Sequence, residues 1–390
     1  MRRAALVVGI AVVVALAGCS TTVTGTPVAD PSAVAASLDV GSYPKTPREV
    51  PALSDKAARL LEASRLADTV PLLRDIDPAL RYNGKGYLGG PSQIALSMTL
   101  SSSVQTAVGT FELGAQFAAS DQKPGDTGFR KRSMSVAVLR MANAAAATKA
   151  AASPDFTKPD KVETDKKPAT VPGFPTANAS SMEWKSLGSF SYTAMLPVGE
   201  YVVAAFVSTP SAADSMRLLT TFLDKQRKAL ASFTATPLDQ LKSQPADPKG
   251  VVRLTLPGKA AGTWATQVSA AGRAEDIDFA VMLYKDTGVD AVGYGETTVY
   301  RTKDAAAATD FAKRQYEWLR TTFPQGSAAT QIRSAPGAQC WSYPEYAGSK
   351  TTNTKCVVAR DRYVAASDDG QAVKAMQAIN ASYLVLGAAK

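Results

Sequence analysis

The chain has no histidine among its 390 residues. That removes the usual base of Ser-His-Asp and Cys-His catalysis and the commonest zinc ligand. Cysteine is scarce, at three residues. No segment reaches the ~18 unbroken apolar residues that mark a transmembrane helix. There is no Gly-x-Ser-x-Gly elbow, no Walker A sequence and no Gly-x-Gly-x-x-Gly. The net charge is +9, yet the cations are dispersed. Arg130-Lys131-Arg132 and the stretch Lys158–Lys167 are the densest clusters. Without an arginine-rich, aromatic-interleaved stripe, nucleic acid is not an expected partner. Solvated surface charge is the expected reading of these clusters, and a weak attraction to anionic lipid headgroups near the tether is the alternative.

What is present begins with an address. Met1-Arg2-Arg3 precedes an apolar stretch, Ala4–Ala17, that ends in Leu16-Ala17-Gly18-Cys19. A positive start, an apolar core and small residues before a cut describe a secretory signal. Leu-Ala-Gly-Cys resembles the lipobox of bacterial lipoproteins, which implies lipidation of Cys19 and cleavage before it. Two or three acyl chains would anchor the product stably, with no membrane-spanning helix. Removal of residues 1–18 leaves 372 residues at +7, enough for two domains. A chain that is 45% hydrophobic and 20% charged can bury a core in each. Residues 19–48, rich in Ser, Thr, Pro, Val and Ala, read as an extended tether. As a flexible coil it reaches on the order of 30 Å. Thr21, Thr22, Thr24 and Thr26 are its candidate O-glycosylation sites.

The body of the chain contains a repeat. Val138-Leu139-Arg140, then Asn143 and an alanine run, recurs as Val299-Tyr300-Arg301, then Asp304 and an alanine run. Asn and Asp are good N-caps and Ala is the best helix former, so both copies read as a strand entering a capped helix. Pro-Gly follows each copy, at Pro172-Gly173 and Pro336-Gly337. Paired strands come next, Ser189–Leu196 with Glu200–Val207 and Thr354–Ala359 with Arg362–Ser367. Closing helices are predicted at Ala212–Ser232 and Gln371–Leu386. The expected fold is α+β: two β-α-β-β-α modules arisen by duplication, each an antiparallel sheet with helices on one face. The N-terminal domain is placed at 49–235, a linker at 236–250 and the C-terminal domain at 251–390. Ser54 should cap a first helix ending at Ala67, with Ala57, Leu60, Leu61 and Ala67 on its buried face and Glu62 elsewhere.

Candidate chemistry is thin. Cys340 and Cys356, with 15 residues between them, read as a structural disulfide of the second domain. Closing that loop contributes ~3 kcal/mol in the chain-entropy model. A reactive thiol pair is the alternative, and the spacing is not Cys-x-x-Cys. Glu275, Asp276 and Asp278 flank an expected strand, and Asp75 and Asp77 flank Ile76. Paired acids of this kind could bind Ca2+ or perform acid–base work, but no EF-hand loop accompanies them and solvent-facing acids are the expected reading. Ser-x-x-Lys occurs at Ser42–Lys45 and Ser120–Lys123, in loops rather than on the helix that its chemistry wants. Trp184, Trp264, Trp318 and Trp341 read as core, with Trp184 and Trp341 as possible repeat equivalents. Asn178 and Asn380 open N-glycosylation sequons that a bacterial lipoprotein rarely uses. No catalytic residue, metal site or cofactor site is assigned.

The lipobox, the threonine-rich Thr21-Thr22-Val23-Thr24-Gly25-Thr26, Pro78-Ala79-Leu80 and the repeated strand-to-alanine-helix unit carry a wider likeness. On them the mature chain resembles an uncharacterised family of two-domain lipoproteins from mycobacteria, nocardiae and related actinobacteria. The resemblance implies an envelope location and supplies no activity. The expectation is therefore a lipid-anchored protein on the outer face of the cell membrane. It would bind a protein or a lipid-like envelope component without catalysis. A carboxylate-dependent hydrolase of envelope polymers is the alternative.

Overall fold

The computed structural model describes residues 37–91, 109–159, 165–258, 262–344, 346 and 348–389. The signal segment, Cys19 and the tether as far as residue 36 lie outside the described residues. From Ser37 onward the chain forms one compact unit.

In the first half, helix α1 (Asp55–Ala67) precedes strands β1 (Tyr82–Gly89), β2 (Leu113–Ser120) and β3 (Ser133–Arg140). Helix α2 (Ala144–Ala151), strands β4 (Lys167–Ala169), β5 (Asn178–Trp184), β6 (Ser189–Val198) and β7 (Tyr201–Thr209), and helix α3 (Ala212–Ala231) follow. The strands form an antiparallel sheet in the order β1-β2-β3-β7-β6-β5-β4. Strand β3 is apolar on both faces. Val136 and Val138 pack with α1 and α3, while Ala137 and Leu139 pack with Ala147, Ala150 and Ala151 of α2. Successive residues of a strand point to opposite faces, so helices cover both faces of this sheet rather than one.

The second half contains β8 (Thr263–Ala265), α4 (Gln267–Ala271), α5 (Ile277–Thr287), β9 (Ala291–Tyr294), β10 (Thr298–Arg301) and α6 (Ala305–Thr322). After these come β11 (Ser327–Ala328), β12 (Gln339–Pro344), β13 (Thr352–Arg360), β14 (Tyr363–Asp369) and α7 (Ala372–Gly387). Its sheet order, β8-β9-β10-β14-β13-β12-β11, repeats the first strand for strand. Register makes the duplication concrete. Arg140 pairs with Tyr201 across β3 and β7, and Arg301 pairs with Tyr363 across β10 and β14. Asn143 accepts from the Ala146 N–H and caps α2, just as Asp304 accepts from the Ala307 N–H and caps α6. The fold is α+β with two similar modules, as expected. Each module has more strands than the β-α-β-β-α outline. In the second, α6 and α7 again flank the same strands: Ser367 donates to the Ala375 carbonyl of α7, and its neighbour Asp368 faces the α6 side.

Residues 236–250 are gripped at both ends by the repeated arginines. Arg140 Nη1 donates to the Thr236 carbonyl at 2.7 Å, and Arg301 Nη1 to the Lys249 carbonyl at 2.6 Å. Between those points Leu241 joins the first core. Residues 38–48 cross the second module first. Leu38 and Val40 are buried, and Asp39 receives Gln377 and Asn380 of α7. Arg48 then donates to the Val252 carbonyl and to Thr255. The modules also meet directly. Ser64 of α1 donates to the Trp264 carbonyl of β8, the Asn83 N–H to the Glu275 carbonyl, and the Ile277 N–H to the Arg81 carbonyl. Gly84 permits this approach, since a Cβ there would lie 2.2 Å from the Ala274 carbonyl oxygen.

Candidate functional site

The acids flagged in the sequence stand at the start of α5, not beside a strand. Asp276 is the N-cap and accepts from the Phe279 N–H at 3.0 Å, and Asp278 occupies the first turn. Both positions favour negative charge because the first helical N–H groups are otherwise unpartnered. Asp278 receives Arg74 at 2.9 Å and Arg81 at 3.3 Å. Glu275 turns the other way and pairs with Lys355 of β13 at 2.5 Å. Asp75 lies 3.6 Å from Arg74, and Asp77 lies 2.8 Å from Arg132. Arg74 thus lies between Asp75 and Asp278, Asp77 and Glu275 are paired with other cations, and Asp276 is held as a helix cap. Both Ser-x-x-Lys sequences lie off helices, as expected. Among the described residues there is no group of three Cys, Asp or Glu side chains that could hold a metal ion, and no helix long and apolar enough to cross a membrane.

Two of the concave regions among the described residues have several aromatic side chains in their walls. The first is a cavity of about 340 Å³ between α4, α5, α6 and the second sheet. Arg273, Glu275, Tyr294, Tyr300, Trp318 and Lys355 are among its lining residues. Phe279 and Trp318 stack at 5.5 Å, and Tyr284 lies 5.7 Å from Tyr300. Burial pushes the hydroxyls of Tyr284, Tyr294 and Tyr300 up, which keeps them neutral donors. Burial works against the Lys355 ammonium, but Glu275, Tyr343 and Asp368 together hold it above the ordinary lysine range. The amine is therefore a fixed cation rather than a nucleophile. Asp368 lines the same cavity, and burial pushes its carboxyl up while Lys355 acts against that rise.

The second region is a groove of about 490 Å³ on the first module. Phe129 and Leu187 stand on its rim at 89% and 54% exposure, unusual for such side chains. Trp184 and Phe206 line it, with Arg130 and Lys131 beside Phe129. Trp184 is fixed by its Nε1–H bond to Ser191 at 2.9 Å. Leu187 is carried by a short helical turn, Lys185–Leu187, closed by Gly188 at φ 57°. The basic run divides in use: Arg132 is consumed by Asp77 and Asp214, while Arg130 and Lys131 make no ion pair among the described residues. A lone phenylalanine in a polar loop, directly before basic residues, is the sequence signal that marks this groove.

The remaining flagged residues are structural. Cys340 and Cys356 face each other across β12 and β13 and form a disulfide, with Cα atoms 4.0 Å apart. Their first-module counterparts are a plain Ala179–Ala194 pair. Trp341 pairs with Lys355, and Trp184 with Ser189, so the two tryptophans are not repeat equivalents. Trp341 donates to the Phe323 carbonyl, and Trp264 packs under Lys249. Asn380 is fully buried. Its amide binds the Asp39 and Arg333 carbonyls and the Ala335 N–H, which leaves no access for a sugar. Asn178 donates to the Ser153 carbonyl.

Residues 50–246 match the N-terminal domain of unknown function DUF7373, and residues 262–389 match its C-terminal counterpart. No curated protein matches. Among solved structures the chain is similar to the extracellular domain of PknH from Mycobacterium tuberculosis, with a TM-score of 0.30 and 16% identity, over 46% of this chain and 100% of that one.

Proposed function

This chain belongs to the DUF7373 family, and from that premise we propose a lipid-anchored, extracytoplasmic envelope protein that works by binding. The observation that carries the binding role is the groove. It combines exposed Phe129 and Leu187, a tryptophan held by its own hydrogen bond, and two cations that make no ion pair among the described residues. Aromatic anchors in a pocket with a charged rim are what protein partners bury at the centre of an interface. The partner is a protein segment that inserts an apolar side chain and sets carboxylates against Arg130 and Lys131. A concave site suits an inserted side chain better than a flat headgroup layer.

Selection from a random displayed-peptide library against the mature chain tests the groove. Sequences pairing an apolar residue with neighbouring acids should be enriched, and Leu187→Ser with Lys131→Glu should weaken them about tenfold or more. Enrichment of neutral or basic peptides, or binding to anionic vesicles alone, would overturn the assignment. The anchor is tested separately in bacterial cells. Cys19→Ala should shift the protein from the membrane fraction to the medium, and unchanged fractionation refutes lipidation at Cys19.

A further inference from the structure

Arg273 uses the face of its guanidinium and leaves one edge unmatched. Its stem crosses β1 at Gly86, where a Cβ would lie 2.7 Å from Arg273 Cγ. The guanidinium carbon then sits 4.6 Å from the centroid of the Tyr294 ring. Its Nε and Nη2 are both buried without a hydrogen-bond partner. Those two atoms form the side-on fork that binds a carboxylate through two parallel N–H···O bonds. Glu275 carries the complementary feature in the same cavity. Its Oε1 holds Lys355, while its Oε2 is buried without a partner. Buried polar atoms without a partner are costly, even on side chains that are otherwise partly exposed. One molecule offering an anionic oxygen pair and a cationic donor would satisfy both ends.

Three positions on the wall of this cavity carry other residues in the first module, although it shares the fold. Register places Thr193 where Lys355 stands, Phe206 where Asp368 stands and Leu139 where Tyr300 stands. Polar and charged replacements have therefore collected around one cavity of the second module. Its walls are aromatic, and its volume of about 340 Å³ lies at the small-ligand end of the usual pocket range.

We propose that this cavity binds an α-amino acid as its zwitterion. The carboxylate takes the Arg273 fork, the ammonium takes Glu275 Oε2, and the side chain lies against the Tyr284–Tyr300 and Phe279–Trp318 walls. The site is independent of the groove on the first module.

Calorimetric titration of the full mature chain with L-phenylalanine tests the proposal. Binding should be measurable, and both 3-phenylpropionate and phenethylamine should bind about tenfold more weakly or worse, since each lacks one charged end. Arg273→Lys keeps the charge and loses the fork, so it should cost phenylalanine about tenfold. Glu275→Gln should weaken phenylalanine and leave 3-phenylpropionate unchanged, a selectivity that general unfolding would not produce. A melting curve confirms that each variant is folded. The assignment is overturned if none of the common amino acids binds, if Arg273→Lys binds as wild type, or if 3-phenylpropionate binds as tightly as phenylalanine.

Discussion

Glu62 carries its carboxylate into the core of the molecule at 1% exposure. Four contacts make that tolerable. Its oxygens accept from the Thr236 N–H at 2.8 Å, the Thr236 hydroxyl at 3.0 Å and Arg65 at 2.6 Å, and Arg140 lies 4.0 Å away. Arg140 is itself 5% exposed and reaches Glu200 at 2.6 Å. The network joins α1, β3, the turn into β7 and the first residue of the intermodule segment. Removing one member of a buried ion network leaves the others unpaired in a poor solvent for charge. Glu62→Ala should therefore lower the unfolding free energy by about 3 kcal/mol, read from urea denaturation at neutral pH. A loss under about 1 kcal/mol, the range of exposed pairs, would mean that water reaches the site. The charge pattern of α1 puts Glu62 off the apolar face. It is buried because the chain returns at Thr236, an event 174 residues away that no local periodicity carries.

At the scale of elements, legibility follows how local the determining physics is. The caps Ser54, Asn143 and Asp304 were readable because a side-chain oxygen meets an N–H three residues on. The hairpins β6–β7 and β13–β14 were readable from their apolar runs, and their registers extend the repeat through Tyr201 and Tyr363. The start of α5 was not. Glu275-Asp276-Ile277-Asp278 alternates like a strand edge, yet it is a cap and first turn. Strands β1 and β2 carry too little pattern, since Gly84, Gly86 and Gly114 interrupt them with residues that pack no side chain. Strands β8 and β11 are three and two residues long, and only their neighbours define them. Helix placement on both faces had a signal: the apolar character of β3 at successive rather than alternate positions. The two concave regions were the least legible. Arg273 lies between Gly272 and Ala274 in no recognisable motif, and its role depends on Tyr294 and on Gly86 of the other module.

Across the whole molecule, the two modules are joined by more than the chain that connects them. Residues 38–48 bind first to α7 and then beside Val252. Arg140 and Arg301 grip opposite ends of residues 236–250, and the β1 backbone hydrogen-bonds to the loop before α5. Such coupling should make the chain unfold as one cooperative unit. Gly84 is the place to break it, because its missing Cβ leaves room for the Ala274 carbonyl. Gly84→Val drives a branched side chain into that carbonyl and should pry the seam apart while leaving each core intact. Scanning calorimetry should show one transition for the wild type and two, starting at lower temperature, for the variant. A single transition at the wild-type temperature would show that the seam does not couple the modules. The same loop carries Arg273 and Glu275, and its backbone is held by the Asn83 N–H on Glu275. Loosening the seam should accordingly weaken any ligand of the second-module cavity while leaving the groove beside Phe129 unchanged.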